Sequence, residues 1–129
     1  MERPTDIRYT TTHEWVKIKN GNTAFIGITD YPLKKVKDVV MIEFPEIEEN
    51  LHKDESCCEI EYVTGVFDML SPINGEVIDI NEELESNFDI LKKDPFGRGW
   101  ILKLRVEDPG QVDDLLSLKS YQKLLAGEK

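Results

Sequence analysis

The side chains that could perform acid–base or nucleophilic chemistry are few and scattered in this sequence. The two histidines, His13 and His52, stand far apart, and the two cysteines, Cys57 and Cys58, are adjacent. A hydrolytic triad needs a nucleophile, a histidine base and an acid. No Ser or Cys occupies a nucleophile-like turn, so the pattern predicts no hydrolytic active site.

The spacing of the histidines, cysteines and glycines also gives little support for a metal, phosphate or redox site. The isolated histidines and the single cysteine pair do not form a zinc set, and Gly97-Arg98-Gly99 is only a short loop. Adjacent cysteines in a strand point to opposite faces, so a disulfide between them would be strained. We expect both thiols to be packed in the protein, in a reducing compartment. The alternative is that either cysteine has an enzymatic or redox role, and a measurement of thiol reactivity decides between the two.

Two of the 26 acidic residues stand out because each lies within an apolar strand pattern. Glu14 and Asp68 could flank a cleft, or could lie on the polar face of a strand. The other acids are expected to form a solvated face. A formal net charge of −10 without a basic block argues against nucleic-acid binding and favours basic protein surfaces as partners.

A predicted hairpin between residues 58 and 72 is the element around which the sequence is organised. Its two strands alternate apolar and polar residues on either side of Thr64-Gly65, and Pro72 ends the second strand. A turn tip stands clear of the core, where it can carry a modified side chain or contact a partner. The alternative is an ordinary hairpin in a β-rich domain.

The remaining pattern predicts a β-rich core of seven or more short strands. Asn20-Gly21 favours a second hairpin, and Thr29 or Asp30 can cap a short helix. Residues 46–55 are expected to form a solvated loop. A helical spacing begins at Val112, and Ser120 could divide it into two helices.

Residues 1–6 lack the apolar core of a signal peptide, and no apolar run in the sequence approaches the length of a membrane span. We therefore expect a cytoplasmic protein that does not contact membranes. The predicted organisation is a mobile N-terminus over residues 1–8 and a single domain over residues 9–129.

Several segments, in this order and spacing, resemble the H-protein of the glycine cleavage system from Tyr9 to about Leu125. They are Thr12-His13-Glu14-Trp15-Val16, Gly27-Ile28-Thr29-Asp30-Tyr31, Asp38-Val39-Val40, Glu43-Phe44-Pro45-Glu46, Ser71-Pro72-Ile73-Asn74-Gly75-Glu76-Val77, Asp94-Pro95-Phe96-Gly97-Arg98-Gly99-Trp100-Ile101 and Asp113-Asp114-Leu115-Leu116. The resemblance implies a mainly β, flattened barrel-sandwich hybrid like lipoyl and biotinyl domains, with short helices and a C-terminal helical segment. It also implies a carrier rather than an enzyme.

In this family a lipoyl arm moves an aminomethyl group and electrons among glycine decarboxylase, aminomethyltransferase and dihydrolipoyl dehydrogenase. The sequence departs from the family at the residue that holds the arm. Counting back from Ser71-Pro72 places Thr64 at the position of the lipoylated lysine. A threonine hydroxyl is a poor nucleophile without a neighbouring base, so we expect no lipoate, and no metal is predicted either.

The residues around Thr64 form the rest of the predicted hairpin tip. They are Tyr62, Val63, Gly65 and Phe67. Tyr62 and Phe67 are expected to make the tip bulkier and more apolar, which suits contact with a partner; drift after loss of the lysine is the alternative. In the family, acids matching Glu14 and Asp68 line the cleft that receives the loaded arm.

The leading hypothesis is therefore a non-lipoylated H-protein paralogue with a binding or scaffold role. Its expected partners are the three glycine cleavage enzymes named above or a lipoate ligase. The alternative is a working aminomethyl carrier that is modified at another lysine.

Overall fold

The structure, a computed structural model, describes residues 2–127 of the chain and contains two antiparallel sheets. The larger sheet has the strand order β1-β2-β3-β9-β8-β5, and the smaller sheet has the order β4-β6-β7. The strands are β1 Arg8–Tyr9, β2 Glu14–Lys19, β3 Thr23–Ile28, β4 Val39–Glu43, β5 Asn50–Leu51, β6 Ser56–Tyr62, β7 Gly65–Leu70, β8 Gly75–Ile80 and β9 Leu102–Val106. The predicted mainly β architecture is confirmed.

Five short helices complete the described chain, and the longest lies at its C-terminal end. They are α1 Asp30–Leu33, α2 Glu83–Ser86, α3 Asp89–Lys93, α4 Gly110–Asp113 and α5 Leu118–Gly127. Thr29 caps α1 as predicted, because its hydroxyl accepts a hydrogen bond from the Tyr31 N–H. No helix within residues 2–127 is long and apolar enough to cross a membrane.

Alternating residues of β2 supply two separate hydrophobic clusters. Val16 packs into the main core between the sheets, together with Ile60 and Met69 of the smaller sheet. Trp15 belongs to a second cluster with Tyr9 and Tyr121. Since neighbouring side chains of a strand point to opposite faces, one strand connects both clusters.

The structure differs from the sequence prediction in two connecting segments. Residues 46–55 were predicted as a solvated loop, but they include β5, which pairs with β8 and buries Leu51. In the C-terminal segment Ser117, rather than Ser120, lies at the start of α5. Its hydroxyl accepts a hydrogen bond from the Ser120 N–H at 3.2 Å.

Residues near the predicted mobile start make specific contacts with the rest of the chain. The Arg3 guanidinium donates to both carboxylate oxygens of Asp30, at 2.8 and 3.1 Å. Ile7 is buried, and Arg8 already belongs to β1. Mobility over residues 1–8 therefore stays a prediction, and these contacts argue against it for residues 3–8.

Candidate functional site

The hairpin of β6 and β7 presents Val63 and Thr64 as its two loop residues. Tyr62 pairs with Gly65 across the hairpin, so the turn lies one residue earlier than the predicted Thr64-Gly65 pair. Thr64 is exposed, and its assignment to the attachment position stays a prediction. The Val63 N–H donates to the backbone carbonyl of Asp38 at 3.2 Å, which ties the tip to the segment before β4.

The side chains around Thr64 divide between contact with the protein and contact with solvent. The Tyr62 ring lies against Gly65, where an added Cβ would come within 2.8 Å of the Tyr62 hydroxyl. Phe67 packs inward against the main core. The exposed apolar surface at the tip therefore comes from Val63 and Val66, which are 62% and 54% exposed.

Glu14 is fully buried and bridges the two sheets. Its Oε1 accepts hydrogen bonds from the hydroxyls of Thr10 at 2.7 Å and Thr12 at 2.5 Å, and its Oε2 accepts from the Leu70 N–H at 3.2 Å. Burial raises the pKa of this carboxyl, and the three donors act in the opposite direction. The carboxylate therefore holds β2 to the end of β7.

Asp68 lies on the outer face of the smaller sheet, exposed to solvent. Within residues 2–127 no hydrogen bond joins it to Glu14, so the structure does not bring the two predicted cleft acids into contact. Their role in a shared cleft stays a prediction. Asp68 instead pairs in register with Glu59, which in turn pairs with Glu43.

Three carboxylates thus form a row across β4, β6 and β7, a feature that the sequence reading did not identify. Partial burial, followed by the negative charges of Glu43 and Asp68, raises the pKa of Glu59. Like charges on directly opposed strand positions are destabilising. Beside this row lie Met41 and Val66, which pair in register with Glu61 from either side.

Both cysteines are buried, although adjacent strand residues normally point to opposite faces. The register between β6 and β7 shifts between Ser56 and Cys58, and this irregularity directs both side chains inward. Burial raises the pKa of Cys57 and raises that of Cys58 to about 12. These thiols have the inert, packed environment of structural cysteines rather than that of reactive ones.

One lysine lies close to the tip in the fold although it is distant in sequence. Lys37 is exposed and directly precedes Asp38, the residue whose carbonyl accepts the Val63 N–H. Sequence reasoning missed it because the contact spans 25 residues between positions 38 and 63. Among the other lysines, Lys53 is exposed and Lys92 donates to the Val36 carbonyl.

The residues at the tip do not fit a lipoyl group attached at position 64. A lipoyl amide forms on an amine, whereas Thr64 offers only a short, β-branched hydroxyl side chain. No histidine or other general base lies among residues 62–65 to activate that hydroxyl.

The two sheets, the short helices and the exposed two-residue hairpin define a lipoyl-domain-like barrel-sandwich protein. A crystal structure of a glycine cleavage system H protein from Mycobacterium marinum superposes with a TM-score of 0.86 and 28% identity, covering 96% of this chain and 99% of that one.

Sequence comparison narrows this class to one family. The family model described as "Glycine cleavage H-protein" matches residues 7–128. The chain is 38% identical to the glycine cleavage system H protein of Thermus thermophilus, over 99% of both chains. It is 44% identical to a probable glycine cleavage system H protein 1 of Sulfolobus acidocaldarius, over 90% of this chain and 83% of that one. The chain belongs to the glycine cleavage H-protein family.

Proposed function

We propose that this protein is an H-protein paralogue that carries no lipoyl group and binds protein partners through its hairpin tip. The observation that carries the proposal is Thr64, which is exposed at the attachment position and offers no amine. The apolar exposure of Val63 and Val66 on either side of it supports contact with a partner. Aminomethyl transfer needs a covalently held arm, so the proposed role is that of a binding or scaffold protein.

The partners follow from the family and from the charge of the chain. They are glycine decarboxylase, aminomethyltransferase, dihydrolipoyl dehydrogenase or a lipoate ligase, in the cytoplasm. A protein that occupies the docking site of a lipoylated H-protein reduces its binding by mass action. The net charge of −10 favours basic surfaces on these partners and disfavours nucleic acid.

Co-expression with a lipoate ligase, followed by intact-mass measurement, tests the unmodified state. The expected mass is that of the unmodified chain. A gain of one lipoyl or octanoyl group refutes this half of the proposal.

Binding to each purified partner tests whether the protein docks through its hairpin tip. The comparison uses one variant at the tip and one away from it. Val63→Ser together with Val66→Ser removes the exposed apolar surface of the tip. Ile47→Ser is the matched control, because Ile47 is a similarly exposed apolar residue, at 49%, outside the hairpin. We expect the tip variant alone to weaken binding. Equal binding by all three proteins contradicts a docking role for the tip.

A working carrier that is modified at another lysine is the second candidate, and the position of Lys37 favours it. This lysine is exposed and adjoins the residue that contacts the tip backbone. The candidate predicts that the protein restores glycine cleavage to the other three components. It also predicts a modified Lys37 peptide that Lys37→Arg abolishes. Absence of activity at saturating protein excludes it.

A further inference from the structure

The outer face of the larger sheet carries a groove whose residues have no part in the proposed function. It has a volume of about 440 Å³, within the range of small-molecule sites in proteins. It lies between the strands β2 and β3 and the segment of residues 94–100. Its lining includes Lys17, Lys19, Phe25, Phe96, Arg98 and Trp100.

Positive charge is concentrated in this groove although the whole chain is strongly acidic. Lys17 and Lys19 project from β2, and Arg98 lies in the opposite wall. Lys103 of β9 adds a fourth cation beside them. Asp94 is the acid in the lining, and its carboxylate accepts a hydrogen bond from the Arg98 backbone N–H at 2.9 Å.

Three of these cations pair with acids that are not part of the groove lining. Lys17 lies 4.0 Å from Asp6 and Lys103 lies 4.0 Å from Asp79, so both pairs are at the limit of an ion pair. Arg98 contacts Glu83 on the exposed surface. Surface pairs of this kind contribute little to stability, so an incoming anion can replace them without a large loss.

Aromatic rings form the floor of the groove beneath these cations. Phe25 and Trp100 meet edge to face, with ring centroids 5.3 Å apart and an interplanar angle of 83°. The Lys19 and Lys103 ammonium groups lie 5.1 and 4.9 Å from the Phe25 centroid. The rings therefore hold both ammonium groups in place before any ligand arrives.

We propose that this groove binds a planar aromatic molecule carrying a phosphate or carboxylate group. The ring lies against Phe96 and Trp100, and the anionic group accepts hydrogen bonds from Lys17, Lys19 and Arg98. The cations supply the charge-assisted bonds, and the apolar floor gives selectivity over inorganic anions.

The test is a titration of the isotope-labelled full-length protein, followed by amide and indole NMR signals. The probes are adenosine 5′-monophosphate and naphthalene-2-carboxylate, which distinguish a nucleotide source from an aromatic carboxylate source. Adenosine and inorganic phosphate are the comparison compounds. We expect at least one probe to shift the Trp100 indole signal and the amides of Lys17 and Phe25, with each comparison compound binding more weakly.

Charge-neutralising variants show whether the groove itself holds the probe. Lys17→Gln with Lys19→Gln should weaken binding about tenfold or more, because charge-assisted hydrogen bonds are lost. Lys119→Gln with Lys123→Gln changes two exposed lysines of α5 outside the groove and should leave the affinity unchanged. Phe96→Leu removes a ring that the aromatic probe lies against, so it should weaken the aromatic probes without affecting inorganic phosphate.

Three results overturn the proposal. The first is the absence of localised shifts with both probes. The second is binding of inorganic phosphate as strong as that of the nucleotide, which would reduce the groove to a general cationic surface. The third is an equal loss of affinity in the Lys119 and Lys123 double variant and in the Lys17 and Lys19 double variant.

Discussion

The proposed absence of a lipoyl group depends on residue 64, where a threonine hydroxyl offers no amine to form the lipoyl amide. Thr64→Lys places an amine on this exposed loop residue. We expect partial lipoylation on co-expression with a lipoate ligase, detected by intact mass as a subpopulation heavier by one lipoyl group. We expect the backbone of the hairpin to be unchanged in this variant, because residue 64 is an exposed loop residue.

Val63→Lys is the matched control, because it places a lysine on the other loop residue of the same turn. Modification of that variant instead of Thr64→Lys would show that the register is wrong by one position. If neither variant is modified, Tyr62 and Phe67 are the next residues to reduce in size.

Glu14 is the second residue whose side chain should have a measurable effect, in this case on the stability of the fold. Glu14→Ala leaves the Leu70 N–H and two threonine hydroxyls without their acceptor. We expect a loss of about 1–3 kcal/mol in the free energy of unfolding, the usual effect of an unsatisfied buried donor. Chemical denaturation measures it. Glu85→Ala, at an exposed acid, should change stability by less than about 0.5 kcal/mol.

Sequence reasoning placed Thr64 at the tip of the hairpin, where the structure has it, because the pattern around Thr64 and Ser71-Pro72 is local. It could not locate Lys37, which reaches the tip region only through the hydrogen bond between Asp38 and Val63. The position of a residue within one hairpin can be predicted from local spacing. The closeness of Lys37 to the tip arises from contact between distant segments, which local spacing does not show.

At the scale of elements, the irregularity at the start of β6 determines how the two thiols react. The pKa of Cys58 is raised to about 12, so its thiolate fraction at neutral pH is roughly a thousandfold below that of a free cysteine. We expect neither Cys57 nor Cys58 to react with a thiol reagent until the protein unfolds. Thr64→Cys supplies an exposed thiol as the positive control. Rapid labelling of a native cysteine would revive the redox alternative.

The carboxylate row across the smaller sheet makes the stability of the folded protein depend on pH. The folded state raises the pKa of Glu59, so the folded state binds the proton more readily than the unfolded state does. Stability therefore falls as the pH rises from the unfolded to the folded pKa of this residue. Glu59→Gln removes the charge and should raise the melting temperature at pH 7 more than at pH 4.

Thermal unfolding monitored by circular dichroism at both pH values measures this effect. Glu85→Gln is the control, since it removes one exposed carboxylate outside the row and leaves the net charge of the two variants equal. An equal gain for both variants would assign the effect to net charge rather than to the row.

Alternation within strands was sufficient to predict most elements, but not where they begin and end. Tyr62 pairs with Gly65 and its ring lies against that glycine, so the turn consists of Val63 and Thr64. Leu51 is buried in a segment whose acidic composition predicted a loop, because only pairing with β8 makes it a strand. Such boundaries depend on tertiary contacts rather than on local preference.

At the scale of the whole molecule, the fold separates charges that are mixed along the chain. Residues 17, 19, 98 and 103 come together only when β2, β9 and the loop before β9 assemble. The sequence correctly shows a net charge of −10 and no basic block. It cannot show a basic groove on one face and a carboxylate row on another, because neither is contiguous in sequence.

The two hydrophobic clusters are joined by β2, so the described chain should unfold as one cooperative unit. Tyr121 is fully buried in the second cluster, where its ring stacks on Tyr9 with centroids 4.7 Å apart. Its hydroxyl lies within hydrogen-bonding distance of Thr29 and His13, at 2.7 and 2.8 Å. Tyr121→Ala should lower the free energy of unfolding by about 3–5 kcal/mol, as expected for loss of a large buried aromatic ring.

The informative measurement is whether tryptophan fluorescence and far-ultraviolet circular dichroism keep the same midpoint in this variant. Trp15 reports on the second cluster, while the dichroism reports on both sheets. Because Trp15 and Val16 are consecutive in β2, loss of the second cluster should destabilise the main core as well, and the two midpoints should fall together. Lys123→Ala, on the exposed side of α5, should leave both midpoints unchanged. Separate midpoints in Tyr121→Ala would show that the C-terminal helix and its cluster unfold independently of the sandwich.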